Sequence, residues 1–296
     1  MKALAIGLAL AALLAVGLVV AAVSGAFDDD APVRTASSAR LKANRFDGRR
    51  AFAELRRQVE MGPRPAGSAA SRKLAARMKR LLPRGHYEQV PGGLRNVVGR
   101  LPGSKPAVVV AAHYDTKKLP GFVGANDGAG GTAAVLELAR VLSHTKRPQG
   151  APELRFVLFD GEEATNDKAD FLLSGVRGSK EYARRHRGEL RALVLLDFVA
   201  DKDLRLLREQ GSDPKLWARL RSAARRVGAQ AAFPAGTQGE VHDDHTPFTR
   251  DGVPAIDLID FDFPCWHEKC DDMSAVSASS LDRSGEAVLE LLRTWR

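Results

Sequence analysis

Short apolar runs separated by longer amphipathic stretches form the main pattern of this chain from about residue 50 onward. Four of these runs are apolar almost throughout, which is typical of strands buried on both faces of a sheet. Strands that alternate with helices predict a single α/β domain, with a mostly parallel, twisted central sheet flanked by helices. The predicted buried strands are Ala107–Ala112, Leu154–Phe159, Ala192–Leu196 and Pro254–Ile259, and Asn96–Val98 predicts a shorter strand.

The amphipathic stretches predict the helices. Residues 68–82 are an example, because Leu74, Met78 and Leu81–Leu82 form one apolar stripe while Lys and Arg occupy the other face. Ser212 or Asp213 is expected to cap the N-terminus of a later helix, over residues 213–227. The predicted helices cover residues 50–60, 68–82, 132–142, 179–186, 213–227 and 279–295.

Residues 1–27 differ from the rest of the chain, because residues 3–27 carry no charged side chain. About 20 apolar residues are enough to span a bilayer, so this length favours an uncleaved transmembrane anchor. The alternative is a signal peptide, for which Ser24–Ala26 offers a small-residue cleavage site. The acidic Asp28–Asp30 follows the apolar segment, whereas Lys2 precedes it, which predicts export of the following domain. We therefore expect an extracytoplasmic protein, either membrane-anchored by its N-terminus or secreted.

Composition divides the remainder into two parts. Residues 28–44 are rich in Ala, Ser and Arg and poor in large apolar residues, which predicts a tether. Residues 45–296 are long enough for one large domain. The net charge of +9 is scattered along the chain and only 6% of residues are aromatic, which argues against nucleic-acid binding. A basic surface favours proximity to an anionic membrane.

Cys265 and Cys270 are the two cysteines of the chain. Outside the cytoplasm they are expected either to form a small disulfide loop or to remain as two thiols, because so short a loop demands particular geometry. Their spacing is not that of a zinc finger, which would need two further ligands nearby.

Metal-ligand residue types follow the predicted strands at the points where the strands end. Because the carboxyl ends of parallel strands meet at one edge of a sheet, we expect these side chains to lie close together. Two histidines and three carboxylates suit Zn²⁺, either as one ion or as a pair that shares Asp127. The five residues are His113, Asp127, Glu163, Asp197 and His267.

Glu162 and Glu163 lie together just after the second buried strand. In the turn after a strand the regular alternation of side chains lapses, so one carboxylate is free to bind metal while its neighbour transfers protons. A solvated acidic turn is the alternative for a lone pair of this kind. The other strand ends favour the functional interpretation.

Three further features of the sequence are interpreted without assigning them to the metal ligands. Gly124–Gly131 lacks both the dinucleotide spacing and the ending of a phosphate loop, so close packing around Asp127 explains its glycines better. His242–His245 is a dense polar cluster, for which support of the metal ligands or contact with substrate is preferred over metal binding. His86, His144 and His186 are expected in loops or on polar helix faces.

Several motifs resemble those of known zinc enzymes. His113–Lys117, Val123–Asp127, Phe159–Ala164 and Leu195–Asp197 resemble the zinc aminopeptidases of the M28 family. The glutaminyl-peptide cyclotransferase branch of that family is more similar still, from about Phe52 to the C-terminus. The motifs that indicate this branch are Gly62–Ser68, Asp243–Phe248, Gly252–Pro254 and Phe263–His267 with Asp271–Asp272.

The resemblance implies a catalytic domain over residues 45–296 that cyclises the N-terminal glutamine of peptides or proteins to pyroglutamate and releases ammonia. It implies one zinc ion, with Glu162 as the proton shuttle and Trp266 as a wall of the substrate pocket. In the aminopeptidase pattern a second zinc would be bound by His113 and Asp197, with Asp127 bridging. The cyclase pattern assigns zinc to Asp127, Glu163 and His267, and it makes Asp197 and Asp243 acidic hydrogen-bond partners.

Two departures from the animal cyclases concern specificity. The segment after Glu163 lacks the Trp that those enzymes carry, and Asp257 stands where they have a His. By the resemblance both positions line the pocket, so Asp257 is expected to contact substrate. An aminopeptidase on the same scaffold is the first alternative function, and a non-catalytic, membrane-tethered binding domain is a minor one.

Overall fold

The computed structural model describes residues 40–296, apart from residues 167 and 169. The predicted anchor or signal segment, residues 1–27, and most of the predicted tether lie outside the described residues. Within the described part of the chain, no helix combines the length and the apolar character needed to cross a membrane.

A six-stranded mixed sheet forms the centre of the fold, and its strand order is β1-β2-β4-β3-β5-β8. Strands β4, β3, β5 and β8 run parallel to one another, as predicted. Strand β2 pairs antiparallel with both β4 and β1, so the expectation of a mostly parallel sheet fails at this edge. The strands are β1 His86–Val90, β2 Leu94–Leu101, β3 Ser104–His113, β4 Pro152–Phe159, β5 Leu190–Leu196 and β8 Ala255–Leu258, with a separate short pair β6 Arg208–Glu209 and β7 Thr237–Gln238.

The helices lie close to their predicted positions. Asp213 caps α6 by accepting a hydrogen bond from Leu216 N at 2.7 Å, which resolves the choice between Ser212 and Asp213. Helix α3 begins three residues before the predicted start at Thr132. The helices are α1 Gly48–Val59, α2 Ala69–Leu81, α3 Ala129–Ser143, α4 Phe171–Ser174, α5 Arg177–Arg185, α6 Pro214–Val227, α7 Thr246–Arg250 and α8 Ala278–Arg293.

Helices cover both faces of the sheet, and alternate residues of β3 show this directly. Val108 and Val110 join the larger core cluster, which includes apolar residues of α1, α2, α3, α6 and α8. Val109 and Ala111 point to the other face and pack in the smaller cluster with residues of α5 and α7. Burial on both faces is the physical reason why the central strands are apolar at most positions.

Two of the histidines lie in unexpected surroundings. His86 is the first residue of β1 rather than part of a loop. His186 follows α5 and is buried, with Nε2 2.9 Å from Oε2 of Glu88 in β1. The predicted loop position of His186 is confirmed, since it lies in the turn after α5, but its burial and its contact with the edge of the sheet were not predicted.

Candidate functional site

The predicted metal-ligand residues lie together at the carboxyl edge of the parallel strands. His113 is the last residue of β3, and its Nε2 lies 3.2 Å from Oδ1 of Asp127 and 3.5 Å from Oδ1 of Asp197. Asp197 directly follows β5, the neighbouring strand. All three side chains are buried. Register between parallel strands therefore creates the first half of the site, as the sequence predicted.

A second group of ligand atoms adjoins the first. His267 Nε2 lies 3.5 Å from Oε2 of Glu163 and 3.6 Å from Oδ2 of Asp127. Lys117 Nζ is 3.5 Å from the same Glu163 oxygen. Asp127 thus directs one carboxylate oxygen to His113 and the other to His267, which is the arrangement of a bridging ligand.

The chemistry of these side chains fits a bound cation. Two ligands at about 2.0–2.1 Å from one tetrahedral ion lie roughly 3.3 Å apart, which is close to the separations given above. Both ring nitrogens of His113 and Oε1 of Glu163 are buried and lack a hydrogen-bond partner among the described residues. Burial alone would lower the pKa of His113, but Asp115, Asp127 and Asp197 raise it well above its usual value. The site carries an excess of negative charge that a cation would balance.

Asp115 orients the turn that carries Glu162 and Glu163. Its Oδ1 accepts hydrogen bonds from Gly161 N at 2.9 Å and Glu162 N at 3.1 Å, and its Oδ2 accepts one from Glu163 N at 3.4 Å. Asp115 Oδ1 also lies 3.7 Å from His113 Nδ1. One fully buried carboxylate therefore supports two halves of the site.

Asp271 and Arg64 fix the loop that presents Asp127. Asp271 accepts hydrogen bonds from Asn126 N at 2.7 Å and Asp127 N at 3.0 Å. The fully buried Arg64 donates to Val123 O at 2.9 Å and Gly124 O at 3.3 Å on the same loop. Its other terminal nitrogen donates to Gln58 O and Gly62 O, both at 2.9 Å.

Glycine is required in this loop for steric reasons. Gly128 has φ of 86°, and a Cβ there would lie 3.1 Å from His113 Cε1 and 2.9 Å from Asp115 O. Gly124 has φ of 51°, and its Cβ would lie 2.3 Å from Asp127 O. The predicted close packing of glycines around Asp127 is confirmed.

Glu162 lies near both the predicted metal ligands and the acidic residues Asp243 and Asp244. It is buried, and burial is the main reason why its pKa lies well above the usual value. The nearby carboxylates of Glu163 and Asp243 raise this pKa further, whereas His113 opposes them. A carboxyl group with a raised pKa can both accept and return a proton near neutral pH.

A cavity of about 450 Å³ opens onto these residues. Glu162, Glu163, Asp127 and Asp243 line it, together with an aromatic wall. Trp266 is 46% exposed and stacks on His267, with ring centroids 4.5 Å apart. Phe261, which the sequence interpretation did not identify, packs against Trp266 at 5.2 Å between centroids and also lines the cavity.

A disulfide joins Cys265 and Cys270, so the pair predicted as either bonded or free is bonded. The enclosed segment contains Trp266 and His267. His267 has φ of 55°, a left-handed conformation that a non-glycine residue seldom adopts. The disulfide loop therefore contains a predicted metal-ligand residue in an unusual backbone conformation.

Asp257 departs from its predicted place. It was expected to line the substrate pocket, but it is fully buried and the described residues that line the cavity do not include it. Its carboxyl group lies behind the cavity wall, beside Asp243 and 3.7 Å from His245 Nδ1. The reason is its position inside β8, where neighbouring side chains are buried on both faces.

Several supporting residues were missed by the sequence interpretation. Asp115 and Asp271 were quoted within motifs but given no role, and Glu209 was not considered. A carboxylate two residues after a predicted strand end, as at Asp115, is a usable signal for such a role. The sequence around Arg64 and Glu209 gives no comparable signal, because their supporting roles depend on their burial in the folded protein.

Comparisons with known proteins agree on the family and include both activities. The sequence model for peptidase family M28 matches residues 96–292. The glutaminyl-peptide cyclotransferase of Drosophila melanogaster is 30% identical over 218 residues, which cover 63% of this chain and 61% of that protein. The chain thus spans about three fifths of the length of this relative.

Solved structures show the same similarity. A glutaminyl cyclase from an Acidobacteriales bacterium matches with a TM-score of 0.71 and 31% identity, over 84% of this chain and 94% of that one. A leucine aminopeptidase precursor from Bacteroides thetaiotaomicron matches with a TM-score of 0.75 and 25% identity, over 87% of this chain and 100% of that one.

Proposed function

This chain belongs to peptidase family M28, and we propose that it is a zinc-dependent glutaminyl-peptide cyclotransferase. It would convert the N-terminal glutamine of a peptide or protein to pyroglutamate and release ammonia. The observation that carries this proposal is the buried Glu162, which faces the cavity between the Asp127 group and Asp243 and whose pKa is raised. The similarity to cyclases from Drosophila melanogaster and an Acidobacteriales bacterium supports it.

The donor set of Asp127, Glu163 and His267 would hold the catalytic zinc. When bound there, zinc supplies a Lewis acid that polarises the γ-amide carbonyl of the substrate. Glu163 is kept in place by Lys117, whose Nζ lies 3.5 Å from its Oε2. Asp271 orients Asp127 through the backbone.

Glu162 would transfer the protons of the reaction. Cyclisation requires the attacking α-amine to lose a proton and the departing nitrogen to gain one. A single carboxyl group that returns to its starting state can do both, provided that its pKa lies near the working pH. Burial and the surrounding carboxylates move the pKa of Glu162 in that direction.

Asp197 and Asp243 would attract the substrate's amino terminus and hold it near Glu162. Both carboxylates are buried and line the cavity. Trp266 and Phe261 supply an apolar wall at the same cavity, against which the aliphatic part of a glutamine side chain would pack. The acidic interior with one apolar wall suits a short, cationic N-terminus.

An M28 aminopeptidase is the second candidate, and one observation favours it. His113, Asp127 and Asp197 offer ligand atoms that lie within 4.8 Å of one another, in addition to the Glu163–His267 side. Such a set suits a second zinc with Asp127 as the bridge. Glu162 would then take a proton from a water molecule instead of from the substrate amine.

We also propose that the protein acts outside the cytoplasm. The disulfide between Cys265 and Cys270 supports this, since such bonds persist in oxidising compartments. Exported peptides and proteins with exposed N-termini would be its substrates.

Parallel assays of the purified full-length protein test the proposal. Ammonia release from a glutamine-initiated dipeptide is expected, with little hydrolysis of a leucine anilide and with one zinc required at the Asp127 centre. Predominant anilide hydrolysis with two zincs required at that centre would overturn the cyclase assignment in favour of the aminopeptidase. Absence of both activities in zinc-loaded protein would instead support a non-catalytic binding domain.

A further inference from the structure

A second group of buried ligand-type residues lies behind the cavity wall. Asp243, His245 and Asp257 each offer one ligand atom, and these atoms lie within 4.8 Å of one another. None of the three side chains is more than 3% exposed. Asp243 precedes α7, whereas Asp257 belongs to β8, so the fold brings the group together from separate elements.

Glu209 determines which nitrogen of His245 carries a proton. The Glu209 carboxylate accepts hydrogen bonds from Gly211 N at 2.6 Å, Val241 N at 3.1 Å and Ser212 Oγ at 3.1 Å. His245 Nε2 lies 3.3 Å from Oε2 of this carboxylate. A carboxylate with these donors is held in its charged form and takes an N–H from Nε2. The other nitrogen, Nδ1, then has a lone pair that points toward Asp257.

With the proton of His245 on Nε2 and both carboxyl groups ionised, the atoms that face one another in this group are all acceptors. His245 Nδ1, Asp243 Oδ2 and both carboxylate oxygens of Asp257 are buried without a hydrogen-bond partner in the part of the chain that the structure describes. Acceptors do not stabilise one another, so the group needs a positive charge or a proton at its centre.

We propose that Asp243, His245 and Asp257 bind an additional divalent cation, zinc by the nature of the donors, apart from the centre at Asp127. His245 Nδ1 and Asp257 Oδ2 lie 3.7 Å apart, and two ligands of one tetrahedral zinc lie roughly 3.3 Å apart. The Glu209–His245 pair supports this, because metal-binding histidines usually donate their second N–H to a carboxylate.

This cation would act on the substrate site through Asp243. Asp243 lines the cavity, whereas His245 and Asp257 are buried behind it, so the ion would connect the cavity wall to the core of the domain. Asp257 thus gains a role that does not require contact with substrate. The rival explanation is a proton in place of the metal ion, either shared between the carboxyl groups of Asp243 and Asp257 or carried by His245 Nδ1.

Anomalous X-ray scattering from crystals of the full-length protein, soaked in zinc, tests the site without any substitution. We expect a zinc peak between His245 Nδ1 and the Asp257 carboxylate, separate from any peak at Asp127. Absence of this peak, while the Asp127 centre is occupied, would overturn the proposal and favour the proton.

Metal counting by mass spectrometry gives an independent measurement that does not depend on activity. Asp257→Asn should lower the zinc content by about one ion per chain. Asp260→Asn is the matched control, because Asp260 is also buried but pairs with Arg205 N at 2.6 Å instead of with this group. Glu163→Gln should affect only the Asp127 centre. Equal zinc content in the wild type and in the two aspartate variants would contradict the site, even if the protein proved to be an active cyclase.

Discussion

Asp115 holds Glu162 at the edge of the cavity through the backbone, because its Oδ1 accepts the Glu162 N–H at 3.1 Å. Replacement of Asp115 by Asn would place an amide where a carboxylate now accepts three N–H groups. We expect kcat to fall about 10–100-fold with little change in KM, since Glu162 would be misplaced and not removed. Steady-state kinetics check this.

The exposed Asp203→Asn is a suitable control for Asp115→Asn. Asp115→Glu should restore part of the activity if the acceptor oxygens are what matters. An unchanged kcat in Asp115→Asn would remove the positioning role.

Glu162 and Glu163 are expected to differ in what their loss affects. Glu162→Gln should lower kcat by at least about 100-fold, because a glutamine cannot carry the proton, and should leave zinc content nearly intact. Glu163→Gln should lose zinc as well as activity, since its Oε2 adjoins His267. Zinc analysis beside steady-state kinetics distinguishes the two. A Glu162→Gln variant with most of its activity would show that another group transfers the proton.

Reduction of the disulfide should weaken the metal centre. Cys265 and Cys270 enclose His267, which has a left-handed backbone. Relief of this constraint is expected to lower zinc affinity about tenfold, equivalent to about 1.4 kcal/mol. Zinc dissociation can be followed with a chelating dye before and after mild reduction.

The chain has two cysteines, so a reductant acts on this bond alone. A Cys265→Ser, Cys270→Ser double variant should match the reduced protein and no longer respond to reductant. Equal zinc affinity in all forms would show that the loop holds His267 without help from the disulfide.

Asp282 should make stability depend on pH. Burial raises the pKa of this carboxyl group to about 6, and nearby Glu286 and Asp47 add to the effect. A pKa raised in the folded state means that the protonated side chain favours folding. This contribution is complete below the unfolded pKa near 3.8 and is lost as pH rises through about 6.

Asp282→Asn stays neutral at every pH. Its stability relative to the wild type should therefore increase by about 1–2 kcal/mol between about pH 4 and pH 8, a range that allows for the partial exposure of Asp282. Urea unfolding at both pH values measures this. A constant difference across the range would exclude a titration at this position.

Periodicity predicted the buried strands and the helices because each of them has one or two apolar faces. It missed β1, whose residues His86–Val90 include Glu88 and Gln89 and give no apolar alternation. This strand is held by pairing with β2 at the edge of the sheet, which depends on contacts distant from its own sequence.

The proximity of the candidate metal ligands was predictable because His113, Asp197 and the Glu162 turn all follow strands that end at one edge. The depth at which each side chain lies below the protein surface was not predictable in the same way. Asp257 lies inside β8, so its side chain meets His245 in the interior and not the cavity. A motif gives the position of a residue along the chain, whereas the layer that it occupies depends on the packing of the neighbouring elements.

Arg64 shows that support for the Asp127 loop comes from residues that precede the family match. The family match begins at residue 96, yet Arg64 connects the carbonyl groups of Gln58 and Gly62 to those of Val123 and Gly124. A shorter protein that started at residue 96 would leave the Asp127 loop without this support. A transfer of the candidate ligands to another scaffold would therefore have to include the end of α1 and the turn after it.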